Sequence, residues 1–155
     1  MALAPKPKDF PRIRAALKFY QVASVITGVM LLLLCIEMVL KYTPLAVELE
    51  LGGPRGFLAF VPEGTVVAVN LSTGILIAHG WFYVVYLFSD FRLWSLMRWP
   101  FWKFVLIALG GVIPFLSFFL EARIAREVKG YLASREAEAQ AASGTAGSEP
   151  VEASH

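Results

Sequence analysis

The sequence contains little cysteine, little histidine and little charge, and each shortage excludes a class of protein. The single cysteine, Cys35, excludes a disulfide bond within the chain. The two histidines, His79 and His155, stand far apart, and no catalytic triad or metal-ligand spacing surrounds either of them. No glycine-rich phosphate-binding loop precedes a helix. We therefore expect a protein that is not an enzyme and that uses no metal ion and no cofactor.

Charged residues make up only 17% of the 155 residues, whereas hydrophobic residues make up 57%. A soluble domain carries about 25% charged residues. The lysines and arginines cluster beside apolar segments, which indicates a membrane surface and argues against a nucleic-acid partner. We expect the lipid bilayer to be the main partner of the chain.

Three uncharged segments approach or exceed the length of about 20 apolar residues that a helix needs to cross a bilayer. They are Phe19–Ile36, Gly64–Ser89 and Phe104–Leu120. Large residues follow the first segment, so we interpret it as a retained helix and not as a cleaved signal peptide. The segments and their flanks predict transmembrane helices over residues 15–41, 71–91 and 100–126, the third with a kink at Pro114.

The connection between the first two helices, residues 43–70, is the longest one. Residues 45–51 alternate large apolar side chains with smaller or acidic ones, a period of two that is typical of a strand. Gly52, Gly53 and Pro54 then end the pattern. Two interpretations stay open: a small hairpin on the membrane surface, or an irregular extended loop.

The fold class that follows is all-α: a transmembrane three-helix bundle with a long extramembrane loop between helices 1 and 2 and a disordered C-terminal tail. Residues 1–14 are a basic flexible lead and residues 15–126 are the three-span membrane domain. Residues 127–140 are a polar helical extension, and residues 141–155 are a small, polar segment that we expect to be disordered.

The distribution of lysine and arginine predicts the orientation in the membrane. With a cytoplasmic N-terminus, the basic lead, Arg92, Arg98 and Lys103 lie inside, while Lys41 and the basic residues after residue 120 lie outside. The excess of lysine and arginine inside is small, because the C-terminal flank is also basic and lies outside. Since the first helix usually determines the orientation, we predict a cytoplasmic N-terminus and an external C-terminus.

Polar residues recur at helical spacing along one face of the central helix, where Asp90 continues the row. With Glu37 of the first helix they form a candidate intramembrane polar site, which comprises His79, Tyr83, Tyr86, Glu37 and Ser72. One interpretation is a proton or ligand site. The one that we favour is a neutral histidine that forms a hydrogen bond between helices and sets their register.

A second polar group is predicted at the outer ends of the first and third helices. There Glu121 and Arg123 join Lys41 in a structural network of ion pairs at the membrane interface. Small residues four positions apart, at Ser24–Gly28 and Gly74–Ala78, predict faces on which neighbouring helices approach closely.

The order of several short motifs resembles that of a known family. Leu40–Lys41–Tyr42 closes the first helix, His79–Gly80 lies in the second, and Ile113–Pro114–Phe115, Glu121 and Arg123 lie in and after the third. Over most of the chain this pattern is similar to an actinobacterial family of small integral membrane proteins described as a domain of unknown function. The resemblance implies a three-helix protein of the bacterial plasma membrane and implies no activity.

Close-packing helix faces and interfacial aromatic residues, without a catalytic set, favour a non-enzymatic interaction or accessory module. Such a module would associate with a second copy of itself or with a larger membrane complex. The alternative is an oligomeric small transporter or proton-coupled component that uses His79.

Overall fold

The computed structural model describes residues 5–146 of the chain. A short 3-10 turn at Pro7–Asp9 precedes four α-helices and three β-strands. In chain order these are α1 (Phe10–Tyr42), β1 (Val47–Gly53), β2 (Gly56–Pro62), β3 (Val69–Asn70), α2 (Leu71–Met97), α3 (Phe101–Gly110) and α4 (Leu116–Ala146). The all-α, three-helix prediction is therefore wrong, because the chain has a sheet and a fourth helix.

The predicted boundaries shift at several places. Helix α1 begins at Phe10, inside the predicted lead, and α2 extends to Met97, where Arg98 in the left-handed region ends it. Helix α4 continues through the predicted polar extension to Ala146. The first residues of the lead and residues 147–155 of the predicted tail lie outside the described residues.

The connection after α1 forms an antiparallel sheet with the strand order β2-β1-β3. Its first two strands are a hairpin in which Gly53 pairs with Gly56. Gly52 and Gly56 have φ values of 76° and 125°, a region that glycine adopts without the cost that a Cβ would add. Of the two interpretations of this connection, the hairpin is confirmed, and it belongs to a small three-stranded sheet.

Helices α1 and α2 run antiparallel along most of their lengths. Near one end Ser72 donates a hydrogen bond to Glu37, and in the middle the Thr27 hydroxyl donates to the Phe82 carbonyl at 3.1 Å. Further along, the rings of Tyr20 and Tyr86 lie 5.9 Å apart. Both helices are long and apolar enough to cross a membrane, judged by length and composition.

The predicted third span is instead a helical hairpin made of α3 and α4. Helix α3 runs back along α2, so that Phe101 contacts Trp94 and the Ile107 carbonyl accepts a hydrogen bond from Tyr86. The chain then reverses between residues 110 and 116, and α4 descends along α1. The hydroxyls of Ser24 and Ser117 lie 2.9 Å apart.

The tip of this hairpin lies beside the middle of α1, so the hairpin extends only about half of the length of α1 and α2. Along α4, Gln21 donates to Glu121 at 2.7 Å and, further down, Arg14 pairs with Glu136 at 2.5 Å. Helix α4 therefore returns to the end where α1 begins.

Local sequence explains the reversal. Pro114 lacks a backbone N–H, and Phe115 has a φ of 65°, which lies outside the helical region. Gly110 and Gly111 let α3 approach Tyr86 and Tyr83 closely just before the turn. A kink in a continuous helix is therefore replaced by a complete change of direction.

The core lies in the half of the bundle where all four helices meet. Its large buried side chains come from each helix: Ile13, Tyr20, Tyr86, Leu93, Ile107, Ile124 and Val128. In the other half only α1 and α2 remain, and the sheet covers their ends.

The basic residues are distributed very unevenly between the two ends. All lysines and arginines except Lys41 and Arg55 lie just before α1 or in its first turns, around the α2–α3 connection, or along α4. We call this the basic end, and the opposite end, with Lys41 and Arg55, the sheet end.

Candidate functional site

The structure separates the predicted intramembrane site into two groups. Glu37 and Ser72 meet at the sheet end, where the Ser72 hydroxyl donates to the buried Glu37 carboxylate. The same hydroxyl accepts a hydrogen bond from the Leu49 N–H at 3.0 Å. Ser72 therefore joins α1, α2 and β1, which is a structural role.

The carboxylates of β1 extend this group at the sheet end. Glu48 accepts from Lys41 at 2.8 Å and from the Gly64 N–H at 3.1 Å. These two contacts hold the pKa of Glu48 below its usual range, the bond from Lys41 being the larger cause. Glu50 is fully buried and accepts from the N–H groups of Val67 and Ala68 at 2.7 and 2.9 Å. Glu48 thus joins β1 to Lys41 of α1, and both carboxylates hold the segment between β2 and β3 against β1.

The second group is a row of rings along α2 that faces the α3–α4 hairpin. The His79 and Tyr83 rings lie 6.3 Å apart, and the Tyr83 and Tyr86 rings 6.2 Å apart. The hydroxyls of Tyr83 and Tyr86 donate to the carbonyls of Ala108 and Ile107 at 3.2 and 2.5 Å. The two tyrosines therefore fix the hairpin against α2.

His79 is the residue of this row nearest the sheet end, and it does not contact Glu37. Its Nδ1 atom is buried without a hydrogen-bond partner in the described part of the chain. The favoured prediction, a histidine that forms a hydrogen bond between helices, stays a prediction for this atom.

Asp90 continues the row toward the basic end and is the buried group that the candidate site omitted. It is 0% exposed, and neither carboxylate oxygen has a hydrogen-bond partner among residues 5–146. The Tyr20 hydroxyl, on the facing helix, is also buried without a partner among these residues. The sequence signal was present, because Asp90 lies one turn after Tyr86 on the same helix face.

The predicted network of Lys41 with Glu121 and Arg123 is not formed, because α4 turns back toward the basic end. Lys41 pairs with Glu48 and, at 3.5 Å, with Glu63 at the sheet end. Glu121 accepts from Gln21 in the other half of the bundle. Arg123 is exposed on α4.

One of the two predicted close-packing faces is used within the chain. A Cβ atom added to Gly28 would lie 3.0 Å from Phe118 and 3.2 Å from the Ser117 hydroxyl, so the Ser24–Gly28 face holds the start of α4. Gly74, in contrast, has open space where its side chain would be.

The arrangement supports hydrogen bonding and proton binding. No group of three or more His, Cys, Asp or Glu residues in the described part of the chain could hold a metal ion. Among residues 5–146, buried side-chain polar atoms without a hydrogen-bond partner lie on five residues: Tyr20, Thr43, His79, Asp90 and Tyr131.

Comparison with known proteins gives a family match and several bacterial relatives. A family described as Domain of unknown function (DUF3817) matches residues 17–126. An uncharacterized protein of Mycobacterium tuberculosis is 31% identical over 118 residues, which cover 76% of this chain and 80% of the relative. An uncharacterized protein of Mycobacterium leprae is 31% identical over 121 residues, 78% of this chain and 82% of the relative. No solved structure matches.

Proposed function

The chain belongs to the DUF3817 family, and on that premise we propose that it is a small integral protein of the bacterial plasma membrane. We further propose that it acts as a non-enzymatic interaction module within a larger membrane complex.

Exposed apolar side chains along α1 and α2 support the membrane placement. At 1.5 Å per residue, the 33 residues of α1 and the 27 residues of α2 give lengths of about 50 and 40 Å, more than the roughly 30 Å of the hydrocarbon core. Their outward surfaces hold large apolar residues over many turns: Val22, Val25, Val29, Ile36, Ile77, Trp81, Val84 and Phe88. Water would make such a continuous apolar surface costly, whereas lipid would not.

The uneven charge supports an orientation in which the basic end is cytoplasmic. Cytoplasmic flanks of membrane spans are rich in lysine and arginine, and here only Lys41 and Arg55 lie at the sheet end. Because α4 returns to the basic end, its basic residues join those of the N-terminus. We therefore place the N-terminus and α4 in the cytoplasm and the sheet outside.

The observation that supports the interaction role most directly is the apolar edge strand β2. Phe57 and Phe60 are 82% and 59% exposed, and the strand Gly56–Pro62 contains no charged residue. In the described sheet β2 pairs with β1 on one side only, so its outer edge is open. Uncharged, apolar edge strands are sites at which a partner adds a strand. We propose that a partner protein of the same membrane pairs with β2.

Site-specific crosslinking tests this role. A photoreactive residue at Phe57 or at Phe60 is expected to give one defined protein adduct in native membranes. The matched control is Thr65, which is exposed on the same side of the protein but lies outside β2. The double variant Phe57→Thr, Phe60→Thr is expected to move the chain to a smaller species on a native gel. Adducts with lipid alone, or equal amounts of protein adduct at Thr65, would overturn the proposal. An adduct with a second copy of the chain would also overturn the larger complex and would indicate a homo-oligomer.

A second candidate, an oligomeric proton-coupled component, is favoured by the buried Asp90. An unpartnered polar group inside a membrane protein is costly and is a candidate for proton or ion transfer. Proton flux into vesicles that contain the purified chain tests this candidate. Flux that is lost in Asp90→Asn and in His79→Asn would support it, whereas absence of flux in the wild type would exclude it.

A further inference from the structure

A groove at the basic end lies between the start of α1 and the last turns of α2. It is an open space of about 500 Å³, lined by Arg12, Phe88, Phe91, Arg92, Ser95 and Leu96. None of these residues takes part in the polar groups described above, and none belongs to the exposed strand β2.

The groove has an excess of positive charge. Neither Arg12 nor Arg92 forms an ion pair with another residue of the described chain, and the lining contains no acidic residue. A second groove at the basic end, between α1 and α4, has the same net charge, because Lys18 and Lys129 line it and its Arg14 is paired with Glu136 at 2.5 Å. The α1–α2 groove differs in that both of its positive groups are guanidinium groups and no carboxylate lines it.

The groove also has an apolar side toward the centre of the membrane. Phe88 and Phe91 are 60% and 52% exposed, and Phe88 lies one turn closer to the centre of α2 than Arg92 does. Ser95 lies about one turn beyond Arg92, toward the basic end of α2. Positive charge at the surface with exposed aromatic rings beneath it matches the order of headgroup and acyl chain in a phospholipid.

We propose that this groove binds the phosphodiester headgroup of an anionic phospholipid in the cytoplasmic leaflet. Arg12 and Arg92 donate to the phosphate oxygens, because a guanidinium group presents paired donors that match phosphate geometry. The acyl chains lie against Phe88 and Phe91. This inference rests on the membrane placement and orientation proposed above, and it does not depend on the role of β2.

Native mass spectrometry of the full chain in detergent tests the site. Dioleoylphosphatidylglycerol is titrated against dioleoylphosphatidylcholine, and we expect binding of the anionic lipid to exceed that of the zwitterionic one. The double variant Arg12→Gln, Arg92→Gln is expected to lose at least about tenfold in affinity for the anionic lipid, since each basic residue near a membrane surface contributes about 1 kcal/mol. Arg12→Lys, Arg92→Lys keeps the charge and is expected to retain part of the affinity.

The matched control is Lys18→Gln, Lys129→Gln, which removes the same charge from the other groove at the basic end. An equal loss in this control would show attraction to the basic end in general and would overturn the site. Equal binding of the two lipids would overturn it as well, and displacement of the lipid by an equal concentration of inorganic phosphate would reassign the groove to free phosphate. Retention of the wild-type protein in carbonate-washed membranes tests the membrane placement separately. If the protein stays in these membranes but shows no preference for the anionic lipid, the lipid site is refuted and the membrane placement is not.

Discussion

At the scale of single residues, the tip of the α3–α4 hairpin packs closely against α2. A Cβ atom on Gly111 would lie 2.5 Å from the Tyr83 ring and 3.0 Å from the Tyr86 ring. Both rings are held by hydrogen bonds to α3 carbonyls, so they have little freedom to move. The absence of a side chain at this position therefore decides how closely the hairpin approaches α2.

The first prediction contrasts two glycine substitutions. Gly111→Ala is expected to destabilise the chain by about 1–3 kcal/mol through overpacking. Gly74→Ala is the control, because its side chain would enter open space within α2 and alanine favours a helix by up to about 1 kcal/mol. Thermal unfolding in detergent is expected to move in opposite directions for the two variants. Equal melting temperatures would show that the tip does not pack as described.

The second prediction concerns the hydroxyl that joins α1, α2 and β1. Ser72→Ala leaves the buried Glu37 carboxylate and the Leu49 N–H without this partner, at a cost of about 1–3 kcal/mol. Hydrogen exchange of the β1 amides is expected to accelerate. Ser95→Ala, an exposed serine near the other end of the same helix, is the control and is expected to leave exchange unchanged. Unchanged exchange in both variants would contradict the structural role of Ser72.

The sequence predicts which residues are polar and share a face, but not which of them meet. Tyr83, Tyr86 and Asp90 follow from helical spacing alone. The separation of Glu121 from Lys41 could not be predicted, because it depends on the direction of α4, and helical spacing gives only the relative positions within one helix. Helical spacing within α2 also could not show that Asp90 is more deeply buried than His79, because the burial of each side chain depends on its contacts with the other helices.

At the scale of elements, buried carboxylates of β1 order the sheet, and Val61 of β2 adds a buried apolar side chain. Glu48 and Glu50 are buried and bind N–H groups of the segment between β2 and β3 and, for Glu48, Lys41. Residues 45–51 showed a strand pattern, but the pattern alone left a loop equally acceptable. The contacts that order the strand are made by residues up to 18 positions away, which a period-two pattern does not contain.

The third prediction is a pH dependence of the attachment of the sheet. Because the pKa of Glu48 is lowered in the folded chain, its contribution is fully present above the usual value near 4.5 and is lost as the pH falls through the lower folded value. Melting between pH 7 and pH 3 is therefore expected to show a steeper loss of stability below about 4.5 in the wild type than in Glu48→Gln.

Glu136→Gln is the control for this pH series, because its ion pair with Arg14 is exposed and contributes little. Its melting curve is expected to follow that of the wild type. The same slope in Glu48→Gln and in the wild type would show that Glu48 does not hold the sheet.

The helix boundaries illustrate what local pattern can and cannot give. The first two helices were predicted within several residues, since their apolar segments are long and bounded by charges. The third segment was predicted as one kinked helix, because a proline inside an apolar helix is compatible with both a kink and a reversal. Tertiary contacts favour the reversal: Gly110 and Gly111 pack closely against α2, and Ser117 packs against Ser24 of α1.

At the scale of the whole molecule, the hairpin changes the distribution of charge. With three full spans the basic residues divide almost evenly between the two sides of a membrane. With α4 returning beside α1, nearly all of them are at one end. The excess of basic residues at one end exists only because α4 turns back, and both the proposed lipid groove and the proposed external position of β2 rest on it.

The most direct test of this account is the accessibility of the two ends in intact cells. In a Cys35→Ser background, Arg55→Cys places a thiol in the β1–β2 turn and Ser134→Cys places one on α4, both at exposed positions. With a membrane-impermeant maleimide, we predict labelling of the Arg55→Cys variant in intact cells and labelling of the Ser134→Cys variant only after permeabilisation. Labelling of the Ser134→Cys variant in intact cells would contradict the proposed orientation, and labelling of both variants would also contradict the proposal that only α1 and α2 span the membrane.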